Sequence, residues 1–213
     1  MPLKIPEDLS QPYTRFGVTI GRLTLPEIEF LRLRRNEPAL SQFMIFRGNI
    51  TPEQQLAWFN SVDNRTNLYG TIYWDGRFIG MTNLREISAE YCSAEGGMLI
   101  WDEEHQNSLV PFRAALVGTD LAFWEYGFER IYARVLVSNK RAQRFNKALG
   151  YVFEPDPEEG VLRGSVTPAQ YWAATAGLRK VLDEHDGTEN GGVPWPEEIA
   201  AARAARKKPP TGS

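Results

Sequence analysis

The chain has 213 residues, 42% hydrophobic and 24% charged, enough apolar material for one sizeable core and the wrong balance for a disordered or membrane-spanning chain. A formal net charge of −3 supplies no general basic field, so nucleic acid is not an expected partner. With one cysteine (Cys92) and two histidines (His105, His185), there is no internal disulfide framework and too few ligands for a His/Cys metal cluster, so no metal is expected.

In chain order, MPLKIPEDLSQPY lacks an apolar leader region, and residues 1–15 read as a lead segment of a cytoplasmic protein. Residues 16–23 (FGVTIGRL) alternate apolar and polar and predict an edge or hairpin strand. Thr24 caps a helix opened by Leu25-Pro26-Glu27 and carried by EIEFLRLRRN, and Asn36-Glu37-Pro38 interrupts it. ALSQFMIFRGNI is a mixed segment. Thr51-Pro52-Glu53-Gln54 gives cap, early proline and acidic first turn to the helix TPEQQLAWFNSV. Residues 67–74 and 77–87 predict strands joined by the hairpin turn Asp75-Gly76. Residues 91–101 predict the next strand, where Cys92 reads as a small buried thiol rather than a nucleophile.

Residues 94–151 read as strand, polar loop, long helix, strand, short helix, strand. AEGGMLIW is the first strand, and the helix LVPFRAALVGTDLAFWEYGF follows a polar loop. A helix start there offers unpaired N–H groups and a positive dipole end, which is how a phosphate site is built. IYARVLV is a strand, and SNKRAQRFNKAL is a helix capped by Ser138 or Asn139 and closed by Gly150. YVFEP and VLRGSV are strands around the turn PDPEEG. TPAQYWAATAGLRKVLDEH is a helix capped by Thr167. Residues 186–213, a linker and an alanine-rich charged helix, read as a peripheral appendage, frayed or packed on a second subunit of a homodimer.

Asn139-x-x-Ala142-x-x-Phe145-x-x-x-Leu149-Gly150-Tyr151 resembles the N-x-x-A-x-x-L/F-x-x-x-L-G-F/Y signature of the GNAT superfamily, the acyl-CoA-dependent N-acyltransferases. WEYGFERIYARVLVSNKRA is similar to the matching stretch of its ribosomal-protein and sugar-nucleotide branches. LRRNEPALSQFMIFRGNITPEQQLAWF looks like the N-terminal half of the pseudaminic-acid pathway acetyltransferase. The resemblance covers residues 16–170 and implies an α/β fold: a mixed, mostly antiparallel central sheet flanked by helices, with residues 171–213 as a helical C-terminal extension. The activity it implies is transfer of acetyl from acetyl-CoA to a small-molecule primary amine, favourably one on a nucleotide-linked sugar. The alternatives are acetylation of a protein N-terminus, or a degenerate member that binds acyl-CoA or a partner without turnover.

The resemblance also assigns residues. Pantetheine would run along Met98, Leu99 and Ile100, with Asn139 holding its arm. The pyrophosphate would sit at His105, Gln106, Asn107, Ser108 and Leu109, with Lys140, Arg141 and Arg144 toward the nucleotide end. Arg34, Arg35, Asn36, Phe43, Met44, Arg47 and Trp58 would wall the acceptor side, although Phe43, Met44 and Trp58 read equally as core and Arg47 as a solvated loop charge. Glu95 occupies the place of the carboxylate that deprotonates the amine, with Glu90 as competitor and a structural acceptor as its other reading. Two departures stand out. The phosphate loop Q/R-x-x-G-x-G/A is here Gln106-Asn-Ser-Leu109-Val-Pro111, and the usual tyrosine acid is replaced by Asn146. Tyr73, Tyr91 and Tyr132 do not match that position, which leaves the acid unassigned.

Overall fold

The computed structural model describes Leu3, residues 12–62 and residues 66–186; the appendage expected beyond Asp186 and most of the expected lead segment lie outside them. Among the described residues eight strands form one sheet in the order β1-β2-β3-β4-β5-β6-β8-β7. They are β1 (Tyr13–Arg15), β2 (Val18–Arg22), β3 (Leu68–Trp74), β4 (Arg77–Ser88), β5 (Ser93–Ile100), β6 (Arg130–Leu136), β7 (Val152–Pro155) and β8 (Val161–Val166). Every neighbouring pair is antiparallel except β5 and β6, which are parallel and joined by a helical crossover.

The expected strand over residues 16–23 is a hairpin arm: Phe16 and Gly17 take φ of 51° and 74° as the turn between β1 and β2. Asp75 and Gly76, at φ 49° and 73°, make the same left-handed pair between β3 and β4, the geometry that a two-residue hairpin requires.

Helices α1 (Leu25–Asn36), α2 (Pro38–Ser41) and α3 (Pro52–Val62) belong to one side. Ile28 and Leu31 of α1 and Leu40 of α2 pack with Leu23, Met81 and Trp101, with Trp58 and Phe59 of α3 against them. The start of α1 is fixed by Glu27, whose carboxylate accepts from the Thr24 N–H and hydroxyl, each at 2.7 Å, a reciprocal cap.

The other side carries α4 (Glu103–Gln106), α5 (Val110–Asp120), α6 (Lys140–Ala148) and α7 (Pro168–Asp186). The long helix predicted after the polar loop stops being α-helical at Asp120. Residues Leu121–Glu125 form a π turn, in which the Tyr126 N–H reaches the Leu121 carbonyl at 2.9 Å and the Phe128 N–H the Ala122 carbonyl at 3.0 Å. This turn brings Phe123, Tyr126 and Phe128 into the main core.

α7 is locked to that core. Tyr171 and Leu182 are wholly buried, and Asp120 at the end of α5 accepts from Arg15 at 3.0 Å, from Arg179 at 2.5 and 3.0 Å and from the Tyr171 hydroxyl at 2.8 Å. One carboxylate thus ties the first strand, the crossover helix and the last helix together.

Candidate active site

The site grows out of the one parallel pairing. β5 and β6 are in register only at Ser93↔Arg130, Ala94↔Ile131 and Glu95↔Tyr132; beyond that point they diverge, while β6 stays paired to β8 on its other edge. Among the described residues, 96–100 therefore keep one edge of backbone N–H and C=O groups without a strand partner, the element that an amide-bearing chain needs. Gly96 lies at the apex of the splay because a Cβ there would sit 2.8 Å from Ile131 Cγ2, and one at Gly97 would sit 2.6 Å from Asn83 Oδ1. A cavity of about 110 Å³ lies at this apex, with Gly96, Gly97, Met98, Phe145 and Asn146 among the residues that line it. Of the residues expected along the arm, Met98 lines this cavity, Leu99 packs on the α1 side and Ile100 is core.

The open ends of the splay are closed by two helix starts. Gln106 donates to the Ile100 carbonyl at 3.0 Å and receives Arg141, at 3.0 Å on its side-chain oxygen and again on its backbone carbonyl. Arg141 is thereby engaged, and it holds the start of α6 against the loop before α5. Ser108 accepts from the Val110 N–H at 3.1 Å and donates to the His105 carbonyl at 2.8 Å, so its side chain takes up one of the N–H groups at the start of α5. Asn107, Ser108 and Leu109 are exposed, and His105 is half-buried. Lys140 and Arg144 are exposed on α6. Asn139, not Ser138, caps that helix, accepting from the Ala142 N–H at 3.0 Å.

On the α1 side, alternation along the strands puts Tyr69, Asn83, Arg85, Glu95, Gly97 and Tyr132 on one face. Glu95 is almost covered, its side chain 11% exposed, and forms a close ion pair with Arg85. Arg35 lies four residues past Leu31 and seven past Ile28, and so continues the sheet-facing stripe of α1. It makes no hydrogen bond or ion pair among the described residues. Burial pushes its guanidinium below the ordinary arginine value, Tyr69 opposes this and the charge of Arg85 adds to it. Trp58 packs edge-on against Tyr69 at 4.9 Å.

The remaining acceptor candidates divide. Asn36 is structural, donating to the Ile50 carbonyl at 2.8 Å and accepting its N–H at 2.9 Å. Phe43 and Arg47 are exposed, with Arg47 donating to the Met44 carbonyl at 3.2 Å, and Met44 packs on the second core. Glu90 is exposed in the turn before β5. Among the tyrosines weighed as acids, Tyr73 donates to Glu27 at 2.7 Å and Tyr91 is 70% exposed. Tyr132 lies under Arg163, 4.4 Å from its ring centroid. Asp102, Glu104 and His105 bring ligand atoms within 4.8 Å of one another, but Arg77 already pairs with both carboxylates, at 2.9 and 3.5 Å.

In sequence, residues 19–152 match the Acetyltransferase (GNAT) domain family, well over half of the chain. The chain belongs to the GNAT acetyltransferase family. Solved GNAT structures share the fold. A spermidine N-acetyltransferase from Vibrio cholerae, in complex with CoA and spermine, superposes with a TM-score of 0.67 at 19% identity, covering 73% of this chain and 98% of that one. Apo FdhC, a nucleotide-linked sugar GNAT, gives 0.67 at 17% identity, covering 81% and 98%. A GCN5-related N-acetyltransferase from Brucella melitensis gives 0.69 at 15% identity, covering 94% and 97%. No curated protein matches the chain in sequence. As a GNAT member the chain is an N-acetyltransferase with acetyl-CoA as co-substrate, and the open β5 edge, the glycine pair and the cavity suit that co-substrate's arm. No helix among the described residues is long and apolar enough to cross a membrane.

Two residues of this site escaped the sequence reading. Arg85 and Tyr126 carry no motif, and only the strand register and the π turn bring them to the splay, whereas Tyr151, the end of the signature, was not read as a lining residue.

Proposed function

We propose that the acceptor is a primary amine on an anionic, nucleotide-linked sugar, and that Glu95 accepts the amine proton. The observation that carries this reading is Arg35, a half-buried guanidinium on the sheet-facing stripe of α1 with no counter-charge among the described residues. A second cation, Arg85, stands on the same face. A desolvated arginine without a partner is costly unless a ligand supplies the anion, and a phosphate matches the planar guanidinium fork. A polyamine would bring more positive charge to the same face, which disfavours it as acceptor. When acetyl-CoA is bound it supplies an acyl carbon to which the amine nitrogen bonds as the carbon–sulfur bond breaks, the thiolate then taking a proton from solvent. Glu95, held by Arg85, removes the proton that the nitrogen loses, and the covered α1 face excludes competing water.

Thiol release with a panel of amino-sugar nucleotides, spermidine and an amino-terminal peptide tests the reading directly. Turnover of a sugar nucleotide is expected. Arg35→Ala should raise its KM about tenfold or more, the worth of a charged hydrogen bond, and Glu95→Gln should lower kcat about a hundredfold to ten-thousandfold. Turnover confined to spermidine, or to the peptide, overturns the proposed acceptor.

A further inference from the structure

The face of the sheet that carries Glu95 continues past it. Glu95 stands beside Tyr132 on β6, and Tyr132 beside Ser165 on β8, so the three side chains form one row with about 5 Å from strand to strand. Two arginines reach this row from opposite ends. Arg130, two residues before Tyr132 on β6, donates to the Ser165 hydroxyl at 3.2 Å. Arg163, two residues before Ser165 on β8, lies over the Tyr132 ring, 4.4 Å from its centroid. Because Tyr132 and Ser165 are cross-strand partners, both guanidinium groups converge on one pair of residues beside Glu95.

Neither charge is neutralised. Among the described residues no carboxylate forms an ion pair with Arg130 or Arg163. Glu95 is paired with Arg85, and Arg134 takes up Asp156, with two bonds of 3.2 Å, and Glu158. Glu154, opposite Arg163 on β7, is exposed and forms no ion pair with it. The Tyr132 ring attracts one cation but carries no net charge to offset two that repel each other. Arg163 is exposed and Arg130 half-buried, so both are open to a ligand, and their forks match an oxyanion.

On the other flank of Glu95 stand Arg85 and Arg35, the latter under the influence of Tyr69 on β3. From Tyr69 to Ser165 is four strand spacings, roughly 19 Å, and one phosphate does not serve both ends. We propose that the acceptor sugar bears a second anion, a carboxylate, on the side of its amine away from the nucleotide, and that Arg130 and Arg163 hold it above the Tyr132–Ser165 pair. The inference rests on the nucleotide-sugar reading and narrows it from amino sugars in general to amino-uronic acids. An amine and a carboxylate separated by one or two ring carbons fit a base on β5 and cations over β6 and β8.

Matched pairs of amino-sugar nucleotides, one member with a hydroxymethyl group and the other with a carboxylate at the same carbon, are compared by thiol release from acetyl-CoA with the full chain. The carboxylate member should have a kcat/KM about tenfold or more higher, the worth of a charged hydrogen bond, and the advantage should shrink as salt is raised. Arg163→Gln, a change at an exposed position, should lower that ratio several-fold, Arg130→Gln should lower it too, and Arg163→Glu should reverse it. Arg35→Ala should slow both members alike. A ratio of one or less in the unmodified enzyme overturns the carboxylate site, and so does a ratio that Arg35→Ala moves and Arg163→Gln does not. Turnover of neither member of any pair overturns the nucleotide-sugar reading, and the carboxylate site with it.

Discussion

At the scale of single residues, Asn139 holds two roles that one pair of substitutions separates. Its side-chain oxygen caps α6 through the Ala142 N–H at 3.0 Å, and family resemblance gives the same residue the pantetheine arm. Asn139→Ala removes both and is expected to cost about 1 kcal/mol of stability, the worth of a cap, together with CoA affinity. Asn139→Asp keeps a capping oxygen and should restore the denaturant midpoint while CoA affinity, read by calorimetry, stays low; if affinity returns with the cap, the residue acts only by holding the helix. Asn139 was legible because it stands in a spaced signature. Arg35 was half legible: Ile28, Leu31 and Arg35 share a helical stripe, which shows that a charge faces inward but not that it lacks a counter-ion. Tyr126 was not legible, since its place depends on a π turn, and one residue of extra winding carries no composition signal.

Among elements, those with local chemistry followed the sequence. α1 and α3 begin at caps formed within four residues, Thr24 with Glu27 and Thr51 with Gln54, and β3–β4 turns at Asp75-Gly76, so each boundary is set by neighbours in the chain. What joins elements is set by residues far apart. Asp120 meets Arg15 across 105 positions and Arg179 across 59, and no periodicity relates them. Replacing Asp120 by Asn leaves two buried guanidinium groups, 7% and 1% exposed as residues, without their carboxylate. Breaking a buried ion cluster from one side costs about 3–5 kcal/mol, and the loss should appear as a lower urea midpoint. A change within 1 kcal/mol would mean that water reaches the cluster and that α7 is held by Tyr171 and Leu182 alone.

For the whole molecule, the main core is closed by phenols, and this sets an alkaline limit. Tyr126, Tyr151 and Tyr171 are 9%, 8% and 0% exposed. Burial raises all three above the ordinary tyrosine value, Tyr126 to about 12, and the Asp120 carboxylate adds to the rise at Tyr171. In the unfolded chain a tyrosine ionises near pH ~10. Because the folded values are higher, the unfolded chain binds fewer protons above pH ~10, and stability falls as pH rises. The contribution is intact below the unfolded value and disappears on the way to the folded ones. Each phenol removes about 1 kcal/mol per pH unit in that window, so the three together approach a whole-protein stability of about 5–15 kcal/mol within roughly two to three units. The urea midpoint should therefore hold steady up to about pH 9.5 and fall steeply above it, with phenolate absorbance rising in step with unfolding. Tyr126→Phe should flatten the fall by about a third, because it removes one of three equivalent proton losses without disturbing the carboxylate that joins α5 to α7. Complete phenolate absorbance near pH 10 with the fold intact would instead mean that these rings are solvated and that something other than the buried phenols sets the alkaline limit.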